Sequence, residues 1–207
     1  MAILLGILSA FSFGVGDFLA RFSSQEVGFK NSLFWMLVVG SIFYLFLFYF
    51  FGSGLSPNAI GLSNSFLSGI LIMFGLLCLY KGLQMGPVSI VASIAATNPF
   101  FVFVIRFFLG SEPTITQWIA TLIVISGAVF VSISADSFKE SLGLSKKQIK
   151  EALIVSFMAS GMLALGLIFS QEASNSLDPI EAVVYVRFFS LLGICLLYTS
   201  PSPRDAH

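Results

Sequence analysis

Apolar residues fall into seven long runs separated by short polar breaks, over about 2–20, 33–51, 60–80, 86–110, 115–134, 152–169 and 180–198. Each run approaches the roughly 20 residues that a helix needs to cross about 30 Å of hydrocarbon, so the pattern predicts seven membrane-spanning helices. Turn chemistry marks the breaks: Gly52-Ser53-Gly54 with Pro57, the stretch from Lys81 to Gly86, and Gly110 to Pro113. Helix starts carry their own signals. Thr114 with Gln117, and Ser145 with Gln148, fit the capping box, in which each side chain satisfies the other residue's free amide. Asp178-Pro179 with Glu181 combines a cap residue, a proline at the first helical position and an acid in the first turn. Trp35 and Trp118 stand near span ends, where tryptophan gathers at the boundary of lipid and water.

The fourth run, Gly86 to Gly110, departs from the others. Gly86-Pro87 opens it, because proline's fixed φ and missing N–H suit the first turn of a helix. Thr97-Asn98-Pro99 falls near its middle, and Pro99 both lacks an amide and crowds the carbonyl four residues back, at Ala95. In hydrocarbon a freed carbonyl must find another partner, so a break at this depth persists where it is buried in protein or lines a wet cavity. Ser89, Ser93 and Thr97 recur every four residues and share one helix face with the break. A kinked, hydroxyl-lined span with an amide at membrane depth points to a solute pathway rather than an anchor.

Composition agrees with this layout. Hydrophobic residues make up 57% of the chain and charged residues 10%. A soluble domain would be nearer about half apolar and about a quarter charged, so almost the whole chain is expected in lipid. The net charge of zero says nothing about partners, since the charges are segregated into loops. Cys78 and Cys195 both lie inside apolar runs and read as neither disulfide nor metal ligands. Residues 1–20 lack a basic start and a small-residue cleavage site, so the first run is read as a retained span. The sequence carries no HExxH, GxSxG, Cys/His cluster or phosphate-binding glycine loop, and its one histidine is His207. Its basic residues are too sparse and scattered for nucleic acid. Neither an enzyme nor a cofactor is expected.

The longest polar stretch, 136–151, separates five spans from the start of another set. Shifting the sequence so that Ala2 falls on Ala152 brings Gly16 onto Gly166, and sets Gly6, Ala10 and Gly14 on Ser156, Ser160 and Ala164. Each trio is a ladder of small residues four apart, which lets helix backbones approach closely. Five is odd, so a second copy enters the membrane from the opposite side, giving the inverted repeat of a transporter. The expected organisation is a first five-helix repeat over 1–135, a polar inter-repeat loop over 136–151, and the opening two helices of a second repeat over 152–196. Residues 197–207 change character abruptly and read as a non-native tail, with roughly three further spans expected beyond this sequence. Arg21, Lys30, Lys81, Lys139, Lys146, Lys147 and Lys150 fall on one side of such a layout, against Arg106 and Arg187 on the other, which predicts an external N-terminus.

From Tyr80 to Val131 the chain resembles an EamA-type member of the drug/metabolite transporter superfamily. The matching features are the short turn ending Gly86-Pro87, Pro99 in the fourth span, the Leu109-Gly110-x-Glu112 exit, and Ser126-Gly127-Ala128 in the fifth. The first span, with Phe13-Gly14-x-Gly16-Asp17-Phe18, resembles the glycine-rich first span of the same family. The resemblance implies an all-α polytopic membrane protein of ten helices in two inverted five-helix repeats, of which seven are present here. It also implies a central substrate cavity with alternating access, and an N-terminus inside, against the charge count.

A short list of polar groups at membrane depth remains. Thr97 and Asn98 are the strongest substrate-binding candidates, because a broken helix offers both side chains and backbone carbonyls. The plainer reading of Asn98 is a hydrogen bond to a neighbouring helix. Ser93 lies on the same face and otherwise serves packing. Asp17 is either a cation contact or proton-coupling carboxylate, or one half of an i,i+4 pair with Arg21. Tyr80 is a gate or an interfacial belt residue. Gly86, Pro87, Pro99 and Glu112 are read as structural. The expected function is secondary transport of a small metabolite or drug-like solute through the cytoplasmic membrane, with a proton or counter-substrate as driving partner. The rivals are a flippase for a lipid-linked substrate and a non-transporting scaffold subunit.

Overall fold

The computed structural model describes residues 2–110, 114–132 and 145–199. Every regular element among them is an α-helix: α1 (Ala2–Glu26), α2 (Phe29–Phe51), α3 (Ala59–Met85), α4 (Val88–Ala95), α5 (Asn98–Phe108), α6 (Ile115–Ser132), α7 (Lys146–Ser176) and α8 (Pro179–Thr199). The protein is an all-α polytopic membrane protein. Among the described residues, five stretches are long and apolar enough to cross a bilayer: Phe29–Phe51, Ala59–Met85, Ile90–Phe108, Lys146–Ser176 and Pro179–Tyr198. The shorter Ile115–Phe130 follows them.

Helix ends overrun the apolar runs. α7 begins at Lys146 rather than near residue 152, because Lys146, Lys147, Gln148, Lys150 and Glu151 are good helix formers in their own right. The caps explain where the helices stop and start. Gln148 Oε1 accepts the Ser145 amide at 2.9 Å and Ser145 Oγ accepts the Gln148 amide at 3.2 Å. Thr114 and Gln117 repeat the exchange at the head of α6, at 2.9 and 3.4 Å. Gly110, at the exit of α5, has φ +87, a conformation that side chains rarely tolerate. Glu112, most of the 136–151 loop and the end of the 197–207 tail lie outside the described residues.

The helices gather into two compact units that each draw on both ends of the sequence: 1–33 with 77–160, and 34–76 with 161–207. In the first, α4 packs on α6 and α1, and α5 on α6. Phe103 and Trp118 meet edge to face at 4.5 Å between ring centroids. A Cβ on Gly86 would stand 2.8 Å from the Ala152 Cβ, so the turn into α4 is pressed against the start of α7. In the second unit α3 lies against α7 and α8 with almost no side chain between backbones. A Cβ on Gly166 would be 2.6 Å from Ile72 Cγ1, and one on Gly69 would be 2.7 Å from the Val186 carbonyl oxygen. Ser68 Oγ donates to the Gly166 carbonyl at 2.8 Å, and Ser190 Oγ donates to that of Gly69 at 2.8 Å. Lipid tails supply no hydrophobic force between helices, so close backbone approach and such bonds carry the association.

The ladder on α7 packs as expected: Ser156, Ser160 and Ala164 are fully buried. The ladder on α1 does not. Gly6, Ala10 and Gly14 are exposed, and a Cβ on Gly6 or Gly14 would meet nothing within 4 Å. Small residues permit close approach, but a helix must lie opposite, and among the described residues none does.

Candidate functional site

The fourth span is broken where its proline sits. Pro87, fully buried, takes an extended conformation (φ −62, ψ 127) and caps α4 from just outside the helix rather than as its first residue. α4 ends at Ala95 and α5 resumes at Asn98. Pro99 has no amide to give, so the Ala95 carbonyl loses its ordinary partner four residues on. The chain turns tightly through the gap: the Ala96 amide bonds the Ala92 carbonyl at 2.8 Å, that of Thr97 bonds Ile94 at 3.1 Å, and that of Phe100 bonds Thr97 at 2.9 Å. Thr97 Oγ1 also donates to the Ile94 carbonyl, at 2.6 Å. Thr97 therefore spends its hydroxyl proton on the break itself, while its oxygen keeps acceptor capacity.

Asn98 opens α5, half-buried, while Pro99 is exposed. Ser93 lies one turn earlier on α4 and is only 6% exposed. Ser93, Thr97 and Asn98 thus belong to one continuous stretch around the break, whereas Asp17 and Tyr80 come from other helices. The side chain of Ser89 lies outside the description, as does Glu112. Asp17 is half-buried on α1, the helix that packs on α4. Tyr80, 5% exposed, is in the packed interior near the end of α3. An interfacial belt residue would face the lipid, so the belt reading of Tyr80 is corrected: the helix face it occupies is turned inward. Among the described residues, no group of three His, Cys, Asp or Glu side chains could hold a metal ion.

The sequence profile of the EamA-like transporter family matches residues 1–133, which take in the first span, the broken fourth span and the exit at Gly110. The chain belongs to the EamA-like transporter family. An uncharacterized protein of Methanocaldococcus jannaschii, MJ1333.1, is 32% identical over 137 residues, 64% of this chain and 97% of that protein. No solved structure matches the chain. Membership in the EamA-like family makes this an integral membrane protein of a transporter family, handling small molecules in a lipid environment.

This EamA-like chain also has polar chemistry that its sequence pattern concealed. Glu181, which looks like an ordinary first-turn acid, is 0% exposed. Its two carboxylate oxygens accept the Ser56 amide at 2.9 Å and the Ser56 hydroxyl at 3.2 Å. The Tyr185 hydroxyl bonds the same carboxylate. Beside it, Asp178 Oδ1 caps the Ile180 and Glu181 amides at 2.9 and 3.4 Å, and Oδ2 accepts the Ser53 hydroxyl at 2.9 Å. The Ser53 hydroxyl and the Ile180 amide hold the Asp178 carboxyl below the usual carboxylate range. The irregular stretch between α2 and α3 is thereby tied to the head of α8. The signal was present in Ser53 and Ser56 among the glycines of that turn, but pairing them with residues 125 positions away needs the fold.

Proposed function

We propose that the chain is a secondary transporter that moves a small metabolite or drug-like solute across the cytoplasmic membrane by alternating access. One observation carries this reading: a membrane-length span, Ile90–Phe108, is interrupted at its middle by Thr97-Asn98-Pro99, with a half-buried amide at the elbow. A chain that only anchors or scaffolds gains nothing from such a break, since each freed backbone group costs free energy in lipid. A broken helix offers carbonyls, an amide side chain and hydroxyl oxygens to one solute at the membrane's midplane.

In this reading Asn98 and Thr97 contact the solute, Ser93 lines the approach, Tyr80 shapes the wall, and Asp17 is the group that a proton or counter-substrate addresses. Gly86, Pro87 and Pro99 set the geometry, and Glu112 belongs to the exit turn. The halves that rock past each other are a first repeat over 1–135 and a second whose apolar run opens at 152, with the polar stretch 136–151 between them. Helix bounds support the duplication: α1 ends at Glu26 and α7 at Ser176, α2 begins at Phe29 and α8 at Pro179, all related by the shift that carries Ala2 onto Ala152. Movement is driven by a gradient or by exchange, without enzymatic chemistry.

Solute exchange tests this. The full chain is reconstituted in proteoliposomes preloaded with a mixed panel of amino acids, nucleosides and cationic aromatic compounds, and entry of each labelled compound is followed without ATP. Saturable entry of at least one compound is expected, with Asn98→Ala lowering it about tenfold, the worth of one buried hydrogen bond to a polar solute. Saturable entry that Asn98→Ala and Thr97→Val leave unchanged would remove the break from the pathway. Failure of every compound to enter faster than through protein-free liposomes would contradict transport.

A further inference from the structure

α7 is longer than a membrane crossing requires. Its 31 residues extend about 46 Å at 1.5 Å per residue, against about 30 Å of hydrocarbon. The apolar run on this helix opens at Ala152, so residues 146–151 carry it about 9 Å beyond that run. The headgroup layer on each side of a bilayer is roughly 5–7 Å deep, and this extension therefore crosses the level of the lipid phosphates. The capping exchange between Ser145 and Gln148 holds it helical to its first residue.

Lys150 follows Lys147 by three positions and Lys146 by four, so the three side chains share one face of the extension, and all three are exposed. Their placement opposes the helix that carries them. The first turn presents the positive end of the helix dipole, where acids stabilise and lysines destabilise, and α7 has no acid there. Among the described residues, no carboxylate pairs with any of the three. Two more exposed lysines of the same unit stand at the same end: Lys81, just over one turn before the Gly86 turn that presses on Ala152, and Lys30 at the head of α2, which runs antiparallel to α3. Glu26 and Glu151, the described acids at that end, offset only part of this charge. Lysines on a loop would be an ordinary solvated surface. Lysines fixed on a helix at phosphate depth, against the helix's own dipole, call for an anion from outside the chain.

We infer that this end of the unit built from 1–33 and 77–160 is a docking surface for anionic phospholipid, with headgroup phosphates held by Lys146, Lys147 and Lys150 and the surface extended along the bilayer by Lys81 and Lys30. Each lysine close to an anionic leaflet gains about fivefold in affinity. A phosphatidylcholine headgroup offers the same phosphate, but its own ammonium group cancels the field that attracts a cation cluster. The surface is separate from the Thr97-Asn98-Pro99 break and does not depend on what that break carries.

The test uses the full chain in phosphatidylcholine nanodiscs doped with a phosphatidylglycerol that bears a photoactivatable diazirine on its headgroup. Photolysis is expected to label peptides covering 145–156 and 81–88. Unlabelled phosphatidylglycerol should compete, and added phosphatidylcholine should not. Inorganic phosphate should lower capture no more than sodium chloride of equal ionic strength, which screens the lysines. Replacing all three α7 lysines (Lys146→Gln, Lys147→Gln, Lys150→Gln) should lower capture more than about tenfold, whereas arginine at the same three positions should preserve it. Glutamine is as good a helix former as lysine, so the neutral variant keeps α7 intact. Undiminished capture by that variant would overturn the proposal, as would phosphatidylcholine competing as well as phosphatidylglycerol or labelling confined to the opposite end of the helices. Inorganic phosphate competing beyond its ionic strength would make this a site for soluble anions and overturn the lipid assignment.

Discussion

Gly166 on α7 and Gly16 on α1 occupy places that one shift of the sequence superposes, yet their surroundings are opposite. A Cβ on Gly166 would press on Ile72 at 2.6 Å, and its carbonyl accepts the Ser68 hydroxyl; a Cβ on Gly16 would meet nothing within 4 Å. The same holds for the ladders above them, buried on α7 and exposed on α1. Small residues at a spacing of four are therefore a permission, and the neighbouring helix decides whether it is used. For α7 that neighbour is α3, which supplies its own glycines and serines to the contact.

The steepest way to break this comparison is to fill both glycines. Gly166→Leu is expected to cost about 1–3 kcal/mol or more through overpacking, whereas Gly16→Leu should stay within about 0.5 kcal/mol. Unfolding of both variants in mixed micelles measures the difference, and equal losses would mean that the two ladders are equivalent after all. The heads of α2 and α8 give a second contrast. Glu181→Ala removes the buried carboxylate that accepts from the Ser56 amide, the Ser56 hydroxyl and the Tyr185 hydroxyl, and should cost about 1 kcal/mol or somewhat more. Asn31, its counterpart under the same shift, is exposed, and Asn31→Ala should change stability by less than about 0.5 kcal/mol. A smaller effect is expected of Ser190→Ala, which removes one interhelical bond worth about 0.6 kcal/mol on average in membrane proteins.

The least of these effects lies in pH. The folded-state pKa of Asp178 is depressed, so the stability it contributes is complete above the ordinary carboxylate value of about 3.9 and fades as pH falls through its lower folded value. Thermal unfolding should be indifferent to Asp178 ionisation between neutrality and about pH 5. Below about pH 4 the wild type should weaken more steeply than Asp178→Asn, which keeps an N-cap but cannot titrate. Parallel curves for the two would detach Asp178 from the clamp.

These contrasts also mark how far the sequence could be read. The spans, the capping boxes at Thr114 and Ser145, and the break at Thr97-Asn98-Pro99 were legible because each depends on residues within a few positions of one another. Proline's missing amide acts on the carbonyl four residues back, whatever surrounds it. The buried carboxylate of Glu181 and the surroundings of Arg187 were not legible. Their partners, Ser56 in one case and Tyr44 with Met36 in the other, come from distant parts of the chain, and only packing brings them close. The belt alternative for Tyr80 fell for the same reason: the end of a span can face lipid or protein, and hydropathy does not distinguish them.

The central claim is that the elbow at Asn98 borders water rather than acyl chains. Asn98→Cys, in a chain with Cys78 and Cys195 replaced by alanine, exposes that claim to a membrane-impermeant thiol reagent in sealed vesicles, with Phe43→Cys on the exposed face of α2 as the lipid-facing control. The account predicts modification of Asn98→Cys while Phe43→Cys stays inert. An Asn98→Cys thiol that only a lipid-soluble maleimide can reach, from either side of the membrane, would contradict it.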